Sequence, residues 1–511
     1  MSLKPDPPTG TVRVDDYVKG ELSKDTNWWG AFVVGLAGTI LVTGVTPAVL
    51  GPLGAAAIPN FVFWALTGWL LCLFLAELAA MLPDRTGGAP AYAYYAFKDR
   101  LPKTSAHLNG LTVWMYWLGW MPVMAVNMIL TGSYLPALLG IELKGFWAKE
   151  ITLFDASLSV TYFTIIVGAV LSVLLLIISN RGIRFGTEAA TVLGILSMVP
   201  LTIIAVAPFF TGDVHGSNIF PFDVPANPDY AVNGAKFFSG TAFYLFLQFS
   251  ALYTWNAIAM EAAGCYIGEC KNPERDAPIA MNLSGGYGTF IYTFLPMAVL
   301  GVVGIRFIQD SLDPNAVLVE TAVRSIGSGV GKVVTAALII ALALSSLNAI
   351  MGCARSLYMM ALDGQAPRIF GRVNAHNVPN FSMGLNTVLN ILLIFVGAPG
   401  SIYVLSNVGY VGSFVPVLIG YYFLRRWRPE IHRPFKLPEW MKYVAVALAV
   451  LYFIVWAVGI PACAIEGCQL GGGKMFLIGV FVVLLYFPLN WWRRSEDRRL
   501  GTSDYKSTMS V

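Results

Sequence analysis

Long apolar segments follow one another along the whole 511-residue chain, and their length limits its fold more than any other feature. A helix needs about 20 largely apolar residues to cross the ~30 Å hydrocarbon core of a bilayer. Hydrophobic residues make up 56% of the chain and charged residues only 12%. The sequence therefore predicts an all-α polytopic membrane protein. We place its 12 transmembrane helices at roughly 28–50, 57–82, 108–139, 157–179, 187–210, 237–268, 280–306, 330–361, 382–398, 399–425, 441–464 and 474–493.

Basic residues predict which helix ends face the cytoplasm. With 12 helices, one side of the membrane holds most of the 33 Lys and Arg residues. The other side holds only Lys144, Lys149, Lys236, Arg306, Arg324, Lys332 and Lys474. The positive-inside rule then places both termini in the cytoplasm, and we expect the chain in the plasma (inner) membrane. The net charge of +4 belongs to scattered loop anchors, so we expect no nucleic-acid partner.

This helix order predicts five segments. They are a cytoplasmic N-terminal segment (1–27), helices 1–5 (28–210), helices 6–10 (237–425), helices 11–12 (441–493) and a cytoplasmic tail (494–511). Helices 1–5 and 6–10 would form the two halves of an inverted repeat. The turn between helices 9 and 10 is predicted at Pro399-Gly400.

The cysteines and histidines indicate no metal site, because no pair has the spacing of metal ligands. We expect neither a metal nor another cofactor. Cys463 and Cys468 share a predicted outer loop, where a local disulfide could form.

Two helices carry signs of a break at mid-membrane depth. Helix 1 is rich in Gly and Thr between Gly35 and Pro47, and helix 6 places Asn256 and Glu261 deep in an apolar segment. Close helix packing alone could explain the small residues of helix 1. In many secondary transporters, however, the first helix of each repeat is interrupted, and its exposed backbone groups bind a charged substrate. A zwitterionic amino acid carries both charges that such a site would hold.

Four motifs occur in order along the chain. They are Ala76–Tyr92, with its Glu-Leu, Pro and Gly-Gly residues, Glu269–Ala280, Arg355–Pro367 and Arg433–Pro438. In these motifs the chain resembles the amino acid–polyamine–organocation (APC) permease superfamily. The resemblance implies a leucine-transporter-like fold with a 5+5 inverted repeat and broken helices 1 and 6. It also implies transport of amino acids or small amines by alternating access, as an exchanger (antiporter) or as a symporter coupled to H⁺ or Na⁺.

Only some of the family's site residues have a matching residue in this sequence. Trp255 matches the aromatic gate over the substrate, but Ala257 and Ala259 stand where relatives often have glycine. The usual Gly-x-Gly-Ile-Phe of helix 1 is absent, and Gly38-Thr39 and Thr43-Gly44 compete for its place. Counting back from Pro47 favours 39–42 as the unwound segment.

We predict three groups of site residues, and each has a structural alternative. Trp255 and Glu261 are candidates for gating or proton sensing, because burial disfavours a charged carboxylate. Ser345 and Ser346 could form a cation site, or simply pack helices. The polar side chains could instead make only inter-helix hydrogen bonds. The predicted substrate-binding residues are Gly38, Thr39, Ile40, Leu41, Thr43, Gly44, Asn127, Trp255, Asn256, Ala257, Ala259 and Asn348.

Other function classes have less support in the sequence. An enzyme is not expected, since there is no clustered histidine, paired carboxylate or phosphate-binding loop. A permease-like sensor that binds amino acids without transporting them is the alternative to a transporter. The predicted pocket residues contain no Arg or Lys and only one acid, Glu261, which favours a neutral or small amino acid.

Overall fold

The computed structural model describes residues 22–83, 85–88, 92–155, 158–227, 232–311, 313–466 and 473–501. Most of them are helical. The helices are α1 (Trp28–Ile40), α2 (Val42–Leu53), α3 (Ala57–Met81), α4 (Tyr92–Phe97), α5 (Pro102–Trp120), α6 (Val123–Leu139), α7 (Tyr162–Ser179), α8 (Ile183–Thr211), α9 (Gly216–Ile219), α10 (Gly240–Ile258), α11 (Pro273–Ser311), α12 (Pro314–Ile326), α13 (Gly331–Leu362), α14 (Asn380–Ile394), α15 (Pro399–Trp427), α16 (Met441–Ile454), α17 (Ile460–Glu466), α18 (Gly473–Leu484) and α19 (Tyr486–Arg499).

Shorter elements connect or extend these helices. Two antiparallel hairpins lie between helices: β1 (Glu150–Asp155) with β2 (Leu158–Thr161), and β3 (Val224–Asn227) with β4 (Val232–Ala235). Four 3₁₀ segments occur at Gly54–Ala56, Ala259–Glu269, Ser328–Val330 and Arg368–Gly371, and a π-helical turn occurs at Val455–Gly459. The segment Ala259–Glu269 continues directly from α10.

Within the described residues, nine stretches are long and apolar enough to cross a membrane. They are Trp28–Met81, Thr104–Leu139, Tyr162–Ser179, Ile183–Thr211, Pro273–Ser311, Ser328–Leu362, Pro399–Trp427, Met441–Ala464 and Gly473–Arg499. The first stretch contains α1 to α3. This agrees with a multi-pass membrane protein, while the count of 12 and the two five-helix halves stay predictions.

Two predicted spans fall outside these nine stretches. The helix α14 is apolar but has only 15 residues, and α10 carries the polar Gln248 and Asn256. The turn predicted between helices 9 and 10 is present: α14 ends at Ile394 and α15 begins with Pro399. Gly397 between them has φ 74°, a conformation that favours glycine. Cys463 is disulfide-bonded, and Cys468 lies outside the described residues.

The four sequence motifs meet at the end of the bundle where α1 begins. Buried Arg355 pairs with both carboxylate oxygens of Glu269 and so joins the second and third motifs. Arg85 of the first motif lies 2.6 Å from Asp363 of the third. Such ion pairs tie separate helices together, because removing one partner would leave a buried charge uncompensated.

Glu77 has a structural role in this region. Its carboxylate accepts from Arg425 Nη2 at 2.5 Å and from the Tyr421 hydroxyl at 2.8 Å, and it lies 3.3 Å from Arg433 Nε. Arg425 and Arg433 are therefore buried against this acid. Thr26 forms a short bridge to Cys270 nearby, which holds the segment before α1 against the end of the 3₁₀ helix.

Candidate functional site

The helix from Trp28 to Leu53 is interrupted at Leu41, inside the predicted 39–42 segment. Here the Leu41 amide donates to the carbonyl of Gly38, three residues back, at 3.4 Å. The Thr43 hydroxyl donates to the Ile40 carbonyl at 2.9 Å. Side-chain hydroxyls and short-range bonds thus satisfy part of the backbone that the interruption frees.

At the second predicted break, in predicted helix 6, the chain changes from an α-helix to a 3₁₀ helix. The helix α10 ends at Ile258, and 11 residues of 3₁₀ helix follow, from Ala259 to Glu269. Runs of 3₁₀ helix longer than three or four residues are uncommon, and a mid-helix stretch often marks a functional hinge. The change begins within the predicted small-residue segment that contains Ala257 and Ala259.

The two interrupted segments touch through their backbones. A Cβ atom placed on Gly38 would overlap the carbonyl oxygen of Ala259. The buried Tyr292 hydroxyl, from α11, lies 3.2 Å from the Gly38 carbonyl and 3.0 Å from that of Asn256. One tyrosine therefore bridges carbonyls of both segments. Tyr292 was not among the predicted site residues.

Neither segment is unwound into extended backbone, which differs from the expectation for broken helices. Leu41 and Ala259 both keep right-handed helical angles, with φ −60° for each. Alanines at 257 and 259 lack the freedom of glycine to adopt positive φ, so a tighter helical winding is the accessible alternative. The Tyr292 hydroxyl further reduces the need for another partner.

Polar side chains from two further elements, α6 and α13, bond to each other and to the 3₁₀ helix, and α1 packs against α13 and against the 3₁₀ helix. The Asn127 amide donates to the Ser346 hydroxyl at 3.2 Å, joining α6 to α13. The Tyr266 hydroxyl donates to Asn348 Oδ1 at 2.6 Å, joining the 3₁₀ helix to α13. All of these side chains are buried, with Asn127 and Asn348 at 0% exposure. The predicted residues of helices 3 and 8 are thus linked by direct bonds.

Several of these groups keep an unused hydrogen-bonding atom. Within the described part of the chain, a buried polar atom at each of these positions has no protein partner: Thr39 Oγ1, Asn127 Oδ1, Asn256 Oδ1, Ser345 Oγ and Asn348 Nδ2. Most buried polar groups in proteins are hydrogen-bonded, and an unpaired one is costly. A cluster of them favours a polar ligand.

Trp255, the residue before Asn256, is held by contacts with α15. Its indole N–H donates to the Ser406 hydroxyl at 2.7 Å, and its ring meets Tyr403 edge-on with centroids 4.7 Å apart. The adjacent Asn256 donates to the Leu252 carbonyl at 2.8 Å and keeps its own oxygen unused. Trp255 is 1% exposed, and its role as a gate stays a prediction.

Glu261 is held by three aromatic donors that sequence reasoning missed. Its Oε1 accepts from Tyr410 at 2.7 Å, Tyr116 at 2.8 Å and the Trp120 indole at 3.1 Å. Its other oxygen, Oε2, is buried and has no partner among the described residues. The donors lie on α5 and α15, and only helical phase could have suggested that they face Glu261. All three hydrogen bonds thus reach one carboxylate oxygen, and a role of Glu261 in proton sensing stays a prediction.

The remaining predicted residues are placed as follows. Ile40 and Leu41 are buried apolar side chains, and Gly44 is partly exposed, where an added Cβ would lie in van der Waals contact with the Tyr403 hydroxyl at 3.6 Å. Ser346 donates to the Leu342 carbonyl at 2.8 Å, as a packing hydroxyl does. No group of three or more His, Cys, Asp or Glu side chains that could hold a metal occurs among the described residues.

Comparison with known proteins gives the family. The amino acid permease family model matches residues 27–485, most of the chain. This protein belongs to the amino acid permease family. Its similar relatives therefore bear on the chemistry of the polar cluster described above.

Several relatives cover more than half of the chain, and three of them are as follows. A methylthioribose transporter of Bacillus subtilis is 24% identical over 453 residues, covering 84% of this chain and 87% of the relative. A D-serine/D-alanine/glycine transporter of Escherichia coli is 21% identical and covers 78% and 80%. A branched-chain amino acid permease of Lactococcus lactis is 27% identical and covers 53% and 55%. Membership in this permease family supports amino acid transport by a membrane protein.

Proposed function

We propose that this permease is a secondary active transporter of amino acids or related small amines, working by alternating access in the plasma membrane with both termini in the cytoplasm. The observation that carries the proposal is the cluster of unused polar atoms on Thr39, Asn127, Asn256 and Asn348 beside two interrupted helices. The relatives' names include both amino acids and methylthioribose, so they support a small polar cargo without fixing it.

The charges of the site favour a neutral substrate. Each buried arginine of the described residues is paired with an acid; these are Arg85, Arg355, Arg368, Arg425 and Arg493. Glu261, the acid nearest the predicted gate, already accepts three donors on one oxygen. Among the residues that the structure describes, no buried arginine is left for an acidic side chain to pair with, and a cationic side chain would have to compete with those donors. A neutral or small amino acid fits these groups best.

Coupling to an ion would use one of two places. Glu261 can bind a proton at its unpaired oxygen, because its other oxygen is already saturated by donors. Ser345 keeps an unpaired hydroxyl beside Ser346 and could contribute to a Na⁺ site. Flux measured with separate proton and sodium gradients distinguishes the two.

Uptake into proteoliposomes tests the proposal. A panel of labelled amino acids, with methylthioribose included, is offered with and without internal substrate and ion gradients. We expect accumulation or exchange of at least one neutral amino acid. Asn256→Ala should abolish it, because the unused oxygen beside the break is lost.

Asn60→Ala is the matched control for this experiment. Asn60 and Asn256 both donate to the carbonyl four residues back, at 3.0 and 2.8 Å, so both variants lose a similar local bond. Only Asn256→Ala should stop transport. Binding of an amino acid without any flux in the unmodified protein would favour the sensor alternative and contradict our proposal.

A further inference from the structure

A cavity of about 330 Å³ opens on the lateral surface of the helix bundle, between α1, α8 and α11. Its walls include Phe32 and Leu36 of α1, Met198 and Thr202 of α8, and Tyr287 of α11. It is a groove separate from the polar cluster around the interrupted helices. Its wall on α1 lies before the interruption at Leu41.

The groove presents an apolar surface although three hydroxyl groups line it. Thr191 donates to the Thr187 carbonyl at 2.8 Å, and Thr202 donates to the Met198 carbonyl at 2.7 Å. The Tyr287 hydroxyl lies 2.6 Å from that of Thr202. Each hydroxyl is therefore already paired. A water molecule needs two to four polar partners, so an apolar occupant suits the groove better.

The opening of the groove faces the hydrocarbon of the bilayer. The helix α8 is itself a candidate membrane span, and only 39% of an apolar 18-residue stretch within it is buried. Val199 and Ile203, which line the groove, are 52% and 48% exposed, and neighbouring Val192 is 59% exposed. Apolar side chains exposed on a spanning helix contact lipid chains, which are therefore the molecules available at this opening.

The length of the groove matches one lipid chain. From Thr191 to Ile203 the lining residues extend for about 18 Å along α8, at ~1.5 Å per residue. One leaflet contributes about half of a ~30 Å hydrocarbon core, or ~15 Å. We propose that this groove binds one acyl chain of a bilayer phospholipid, lying along α8 and contacting α1 before its interruption.

The charged side chains near the start of α8 lie outside the lining of the groove, and Arg181 there is placed over the Phe185 ring. Arg184 lies 2.9 Å from Glu188, and both side chains are exposed. The Arg184 charge is thus compensated locally. The chain itself should be the recognised part, with van der Waals packing as the main attraction inside a membrane.

Photolabelling maps the occupant without any substitution. The unmodified protein is reconstituted in liposomes of phosphatidylcholine that carry a small fraction of a diazirine in one acyl chain. A parallel sample uses phosphatidylglycerol with the same chain. After illumination, we expect labelled peptides concentrated in 29–36 and 191–203, in equal measure for both headgroups. Labels spread evenly over exposed faces such as Val170 and Leu174 of α7, or present with only one headgroup, would overturn the proposal.

A pair of tryptophan variants sharpens the test. Thr191→Trp places a large ring in the groove, whereas Val192→Trp places the same ring on the neighbouring lipid-exposed face. We expect the first to reduce labelling of 191–203 about tenfold, equivalent to ~1.4 kcal/mol of lost binding, and the second to leave it unchanged. Equal labelling of both variants would contradict a specific chain site. The thermal unfolding midpoint of each variant reports whether it is folded.

Discussion

The Tyr292 hydroxyl is the most direct test of how the two interrupted segments are held together. It lies 3.2 Å from the Gly38 carbonyl and 3.0 Å from the Asn256 carbonyl, and the ring is 1% exposed. A hydroxyl has one proton, so it bonds one carbonyl strongly at a time or shares the proton between them. Tyr292→Phe removes that donor and leaves both carbonyls buried.

The expected magnitude follows from the cost of an unsatisfied group. A buried acceptor without its partner costs about 1–3 kcal/mol, and a net hydrogen bond contributes about 1 kcal/mol. We therefore expect Tyr292→Phe to destabilise the packing of the two interrupted segments against each other by about 1–2 kcal/mol. This corresponds to a factor of roughly 5 to 30 in the equilibrium constant for that packing. Substrate affinity in the solubilised protein should fall by about this factor if these segments hold the substrate.

Tyr452→Phe is the matched control. Tyr452 is fully buried and its hydroxyl donates to a single carbonyl, that of Thr67, at 3.3 Å. Both variants should lower the thermal unfolding midpoint, but only Tyr292→Phe should weaken substrate binding in a scintillation proximity assay. If Tyr292→Phe lowers the midpoint and leaves the substrate affinity unchanged, the bridge is structural only and our reasoning about the site is wrong.

Three further variants have expected outcomes. Arg355→Met should lower stability by about 3–5 kcal/mol, because the carboxylate of Glu269 would stay buried without its cation; thermal unfolding checks this, and adding Glu269→Gln should restore part of the loss. Gly38→Ala should abolish uptake, since the new methyl overlaps the facing 3₁₀ carbonyl, whereas Gly384→Ala, which has open space beside it, should transport normally. Glu261→Gln keeps an oxygen for the three aromatic donors and removes the carboxylate charge. The variant should therefore fold, and its uptake should no longer depend on external pH. An unchanged pH profile would exclude this residue from proton coupling.

Much of the site's location follows from the sequence, but less of its geometry does. Gly38, Thr39 and Asn256 are identifiable because small or polar residues interrupt apolar segments, which is a local property. The prediction that the two helices unwind at their interruptions was wrong, since Leu41 and Ala259 keep helical backbone angles. Whether freed backbone unwinds or tightens depends on which side chain reaches it from another helix.

The sequence by itself determined that the chain is a membrane protein of the amino acid permease family, and where its helices are interrupted. The length of an apolar segment and the order of motifs are properties of the sequence alone, so they can be identified without the fold. The tertiary structure alone decided what surrounds those interruptions. Tyr116, Trp120 and Tyr410 lie 141 to 149 residues from Glu261 in sequence yet donate to the same oxygen. Such partners are fixed by the packing and rotation of separate helices, which no local pattern specifies.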